Sequence, residues 1–83
     1  MKILYFAWLR TQIGCSEETI DLPQEAKTVG DVLSFLETKG DAYKNALGGD
    51  KVIRVAINQD YADLDQPVTN QDELAIFPPV TGG

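Results

Sequence analysis

The chain has no histidine, a single cysteine, and only seven lysines and arginines among its 83 residues. Without histidine, imidazole-based acid–base catalysis and the serine or cysteine triads built on it are excluded. One thiol, Cys15, excludes an internal disulfide and fits a reducing compartment. Thirteen acidic residues against the seven basic ones leave a formal net charge of -6. Phosphate backbones and anionic membrane surfaces attract the opposite sign, so neither nucleic acid nor a membrane is expected as a partner. An acidic surface is steered instead toward proteins with basic docking faces. No apolar run reaches the length of a bilayer span. The run Ile3–Leu9 follows a lone Lys2 and ends at Arg10 with no small-residue cleavage pattern, so it reads as a strand rather than a secretion signal. A cytoplasmic location is expected.

Two further motifs are missing. Gly48-Gly49 lacks the spacing and the following Lys-Ser/Thr of a phosphate-binding loop. Asp60, Asp63 and Asp65 alternate, but no glycine or distal glutamate completes a calcium loop, so no metal site is expected.

What is present is an ordinary globular composition, 43% apolar and 24% charged. The length holds one domain, residues 1–83, with 1–77 folded and 78–83 as a tail. Lys2–Leu9 is rich in aromatic and aliphatic residues and predicts a first strand. Arg10–Ser16 contains Gly14 and reads as a hairpin loop, after which Glu17–Leu22 predicts a second, antiparallel strand. Thr28 caps a helix, with Asp31 completing a short capping box, and Val29, Val32, Leu33 and Leu36 recur at helical spacing. Gly30 is a weak residue in its first turn, and Gly40 is placed to close the helix in the left-handed conformation. Asp41–Leu47 adds a short helical turn. Val52–Ile57 predicts a third strand, the surroundings of Tyr61 a very short one, and Glu73–Phe77 the last, with Leu74 and Ile76 on one side. A hairpin, a crossing helix and further strands predict the α+β arrangement called the β-grasp (ubiquitin-like), a mixed sheet packed on one main helix.

The ending Phe77-Pro78-Pro79-Val80-Thr81-Gly82-Gly83 points to chemistry. Two prolines stop the strand because they offer no backbone N–H, and they favour an extended conformation that projects the tail. Six residues reach roughly 20 Å at about 3.3 Å each. Gly82 and Gly83, lacking Cβ atoms, can thread a narrow channel. A glycine carboxylate at such a tip suits insertion into another protein's active site. A carboxylate is a poor electrophile, so it would need activation, for which acyl-adenylation with ATP is suited; attack by a sulfur nucleophile would then leave a thiocarboxylate. A frayed end that happens to contain glycines is the structural alternative.

The stretch Asp72-Glu73-Leu74-Ala75-Ile76-Phe77-Pro78-Pro79-Val80-Thr81-Gly82-Gly83 closely resembles the small subunit of molybdopterin synthase, the MoaD family. Tyr5-Phe6-Ala7 with Leu9-Arg10 and Gly14, Thr28-Val29, and Ala56-Ile57-Asn58-Gln59 carry the resemblance along the whole chain. Asn70-Gln71 departs from it, where the family commonly has a glycine. The resemblance implies a sulfur carrier with no self-contained active site and no permanently bound cofactor. An ATP-using, ubiquitin-activating-like enzyme would adenylate Gly83, and a sulfur donor system would convert it to the thiocarboxylate. The tail would then enter the large synthase subunit, the MoaE family, and donate sulfur to cyclic pyranopterin monophosphate for molybdenum cofactor synthesis.

The first strand is apolar on both faces, Ile3, Tyr5, Ala7 and Leu9 against Leu4, Phe6 and Trp8. One helix covers only one face, so the second set predicts an exposed patch joined by Phe77. The candidate site is therefore Gly83 with Gly82 for the chemistry. Phe6, Trp8, Arg10, Tyr61, Phe77, Pro78, Pro79, Val80 and Thr81 are the candidates for partner binding, with Arg54 a further rim residue. Cys15 reads as an incidental loop thiol, with no basic cluster near it in sequence to activate it. A carrier for thiamine, cysteine or transfer-RNA thiolation, a modifier joined to lysines, and a plain binding module are the competing functions.

Overall fold

The computed structural model describes residues 1–48 and 52–79. In β1 (Lys2–Tyr5), Ile3 and Tyr5 are buried while Lys2 and Leu4 point to the other side. The strand ends there rather than at Leu9. Ala7 takes a φ of 55° and ψ of −134°, which breaks the ladder, and Trp8–Ile13 forms a short helix, α1, in place of the expected hairpin loop. The physical reason is packing: Leu9 and Ile13, one helical turn apart, both join the core, and Gly14 closes the helix at φ 99°. β2 (Glu17–Thr19) pairs antiparallel to β1 as expected but is shorter, because Leu22 leaves the ladder to bond Asn70.

α2 (Val29–Glu37) has the expected reciprocal cap: the Asp31 N–H donates to Thr28 Oγ1 at 3.2 Å and the Thr28 N–H to Asp31 Oδ2 at 3.1 Å. Val29, Val32, Leu33 and Leu36 are all buried. Gly30, the weak residue of the first turn, has a steric reason. Its N–H donates to the Leu64 carbonyl at 2.8 Å, and an added Cβ would lie 3.3 Å from that oxygen. The cap expected at Gly40 is not there. Thr38 ends α2 in right-handed geometry, its N–H turning back to Phe35 and Leu36, and Gly40 instead precedes α3 (Asp41–Leu47).

β3 (Arg54–Ile57) and β4 (Asp60–Ala62) form a hairpin whose two-residue turn, Asn58-Gln59, has φ of 49° and 74°, the sign that matches strand twist. β5 spans Glu73–Phe77, as the sequence predicts. The sheet order is β2-β1-β5-β3-β4, with β1 and β5 parallel and the other pairs antiparallel, so the mixed β-grasp is present. Its inner face sets Tyr5, Ile76 and Val55 in one row and Ile3, Leu74 and Ile57 in the next. These pack with Leu9 of α1, the four apolar residues of α2 and Ala46 of α3 in a single cluster.

Candidate functional site

β5 occupies the centre of the sheet and is paired on both flanks to its end, Tyr5 against Ile76 on one side and Arg54 against Phe77 on the other. The next residues are Pro78 and Pro79. The tail is thus rooted in the most constrained strand of the domain, and its first two residues cannot extend the ladder.

Around that root the outer face of the sheet carries the expected aromatic patch. The Phe6 N–H donates to the Ile76 carbonyl at 3.1 Å, which holds Phe6 against the end of β5 just past the last pair of the β1–β5 ladder. Phe6 is 45% exposed. Phe77 is half-buried, with its ring 5.9 Å from that of Tyr61, which is 81% exposed. Leu4, Ala75 and Ala56 continue the same face in register with Tyr61. A shallow hollow of about 480 Å³ opens between Arg54, Tyr61, Asp63, Phe77 and Pro79. An exposed aromatic ledge of this kind, rimmed by polar groups, fits a protein partner.

The structure therefore brings Phe6, Tyr61, Phe77 and Pro79 together and adds Arg54, while Pro78 directly follows the β5 ladder. Trp8 is separated from the patch as a strand residue. It opens α1, half-buried against the core, because the strand it was expected to continue stops at Tyr5. Arg10 lies exposed on the same helix. Val80, Thr81, Gly82 and Gly83 lie outside the described residues.

A polar cluster that the sequence does not announce lies across the sheet's other edge. The Glu18 carboxylate accepts from Tyr5 Oη at 2.7 Å, Tyr43 Oη at 2.8 Å and Lys39 Nζ at 2.9 Å. Burial works against its charge, but these three donors outweigh it, and the Glu18 carboxyl sits below its ordinary range. Burial and the same carboxylate push the Tyr43 phenol up to about 12. The Cys15 thiol is also pushed up, by burial and then by Glu18, against a smaller opposing pull from Lys39. A raised thiol is less ionised at neutral pH and so a poorer nucleophile there.

Residues 3–83 match the ThiS family. The chain is 42% identical over 83 residues to the molybdopterin synthase sulfur carrier subunit of Haemophilus influenzae, covering all of this chain and 99% of that one. It is 36% identical to the protein of the same name from Escherichia coli, again covering all of this chain and 99% of the relative. Among solved structures it is similar to SAMP1, small archaeal modifier protein 1, from Haloferax volcanii, with a TM-score of 0.81, 34% identity, and coverage of 100% of this chain and 98% of that one. Among the described residues no helix is long and apolar enough to cross a membrane.

Proposed function

This chain belongs to the ThiS family, and from that premise we propose that it is a sulfur carrier of molybdopterin synthesis, loaded and unloaded at the carboxyl group of Gly83. The single observation that carries the reading is the root of the tail. The last strand is locked at the sheet centre, ends in two prolines, and emerges beside the ledge of Phe6, Tyr61 and Phe77. A rigid base beside a docking surface lets one binding event aim a thin terminal segment.

In the proposed cycle a carboxylate oxygen of Gly83 attacks the α-phosphorus of ATP in an activating enzyme, releasing pyrophosphate and leaving an acyl-adenylate. A sulfur nucleophile from a donor system attacks the carbonyl carbon and expels AMP. Where that sulfur is the outer atom of a donor persulfide, a thiolate of the donor system then attacks the inner sulfur, and the S–S bond breaks to leave the thiocarboxylate and a disulfide on the donor. In the large synthase subunit the thiocarboxylate sulfur attacks an oxygen-bearing carbon of the cyclic pyranopterin monophosphate, and the carbon–oxygen bond there breaks with the electron pair leaving on oxygen. Water then cleaves the acyl–sulfur bond, which leaves sulfur on the pterin and restores the Gly83 carboxylate. The chain supplies the sulfur-bearing arm of this transferase, and the pterin pocket belongs to the partner. The names of the relatives from Haemophilus influenzae and Escherichia coli support the pathway.

Likeness to a small archaeal modifier protein favours one second reading, transfer of the activated Gly83 to lysine amines. Intact-mass spectrometry of the chain, after incubation with an activating enzyme, ATP and a sulfur source, separates the two. Replacement of one oxygen by sulfur at the terminus supports the carrier. Gly83 recovered in isopeptide bonds, with no thiocarboxylate formed, would overturn it.

A further inference from the structure

The ledge contains one group that a purely apolar docking surface does not need. Arg54 is exposed on the outer face of β3, directly opposite Phe77, and lines the hollow at the root of the tail. Among the described residues no ion pair engages it. The whole chain has a net charge of -6, so a partner attracted to it carries a basic docking face. Such a face would be repelled at Arg54. Asp63 lines the same hollow but makes no ion pair with Arg54, so a guanidinium covered by an interface is costly unless a carboxylate reaches it directly.

We propose that the hollow between Arg54, Tyr61 and Phe77 is a charge-register subsite that receives one aspartate or glutamate side chain of the large synthase subunit. The inference rests on the carrier reading above and names a contact within it. The occupant is a protein carboxylate rather than a free anion because the Asp63 carboxylate lines the same hollow and weakens its pull on dissolved anions. A dissolved phosphate meets that carboxylate's repulsion wherever it sits in the hollow. A carboxylate held by a partner can be aimed at the Arg54 side alone. The planar fork of arginine donates two parallel hydrogen bonds to it, which fixes direction as well as distance. Since Phe77 is both the cross-strand neighbour of Arg54 and the last residue before Pro78, this contact would set the angle at which the tail enters the partner.

The test measures binding of the full chain to the large synthase subunit at low and high salt. Arg54→Ala is expected to weaken the complex about tenfold or more and to reduce its salt dependence. Arg54→Lys should recover only part of the loss. Arg54→Glu should abolish tight binding, and changing one acid of the subunit to lysine should restore it. Wild-type affinity in Arg54→Ala, or no single acid that rescues Arg54→Glu, would overturn the subsite. Failure of the carrier reading looks different: the wild-type chain itself would not bind the subunit, and Phe77→Ala would change nothing. If wild type binds and Phe77→Ala weakens it while Arg54→Ala does not, only the subsite falls.

Discussion

Glu18 stands opposite Ile3 in the β1–β2 ladder, so a carboxylate shares a sheet face with a fully buried isoleucine. Its side chain is 19% exposed and is tolerated there because three donors converge on it from β1, α3 and the turn between α2 and α3. Glu18→Ala leaves two phenols and an ammonium without their acceptor. Unfolding in denaturant should show a loss of about 2–3 kcal/mol, typical of unsatisfied partly buried polar groups. A change within experimental error would mean that water replaces the carboxylate at no cost.

The same cluster and two capping carboxylates, Asp31 and Asp72, shape the dependence of stability on pH. Hydrogen bonds from the backbone of Lys27 and Thr28 lower the Asp31 carboxyl, and Asn58 followed by the Thr69 backbone lowers Asp72. Glu18 is lowered as well. A lowered folded value adds stability that is complete above the unfolded carboxylate range, near about pH 4, and vanishes as pH falls through the folded value. Tyr5 and Tyr43 are raised, so their contribution is complete below about pH 10 and is lost above it. Denaturation across pH should give a plateau with both limbs falling away, and Glu18→Gln should flatten both.

Ala7 holds a backbone conformation that side chains with a Cβ rarely adopt. Ala7→Gly should raise stability by up to about 1 kcal/mol, strain relief exceeding the entropic cost of glycine. Ala7→Val should lower it. Thermal unfolding checks both, and a destabilised glycine variant would show that the Ala7 methyl does more than occupy space.

Tyr61 is so exposed that Tyr61→Ala should change stability by no more than about 0.5 kcal/mol. Its effect belongs in the complex, where loss of an aromatic anchor beside Phe77 should speed dissociation from the large subunit. Unchanged dissociation kinetics would remove Tyr61 from the interface.

Deleting Gly83 should leave the thermal transition within about 1 °C, since among the described residues the buried core runs no further than Ile76. The same deletion should abolish thiocarboxylate formation by mass spectrometry. A large drop in stability would show that the terminus packs as part of the domain.

The last strand and the main helix were legible because each carries one unambiguous period. Leu74 and Ile76 alternate, whereas Val29, Val32, Leu33 and Leu36 follow the helical turn behind a capping threonine. Ile3–Leu9 is apolar at every position and satisfies both periods at once. Local pattern therefore could not show the break at Ala7, although Leu9, Ile13 and Gly14 hold a helix-and-cap spacing that would have signalled α1. The patch was legible for the same reason that strand β1 is apolar on both faces. Arg54 was harder to weigh, because its meaning comes from a register against Phe77 that only the sheet reveals. The Glu18 cluster joins residues far apart in sequence. The Asn70 turn does so too, its carboxamide accepting from the Leu22 N–H at 2.9 Å.

The strand that precedes the prolines is also the one that unites the sheet. Before β5 arrives, β1–β2 and β3–β4 are two separate ribbons, each too small to be stable alone. Joining β1 to β5 in parallel closes a loop of nearly the entire chain, a slow step in any folding reaction. Assembly of the domain and arrival of its working arm are thereby one event. A ribosomal product cut short before Glu73 would lack the strand that joins the halves, so it could not offer partners a well-formed but armless decoy.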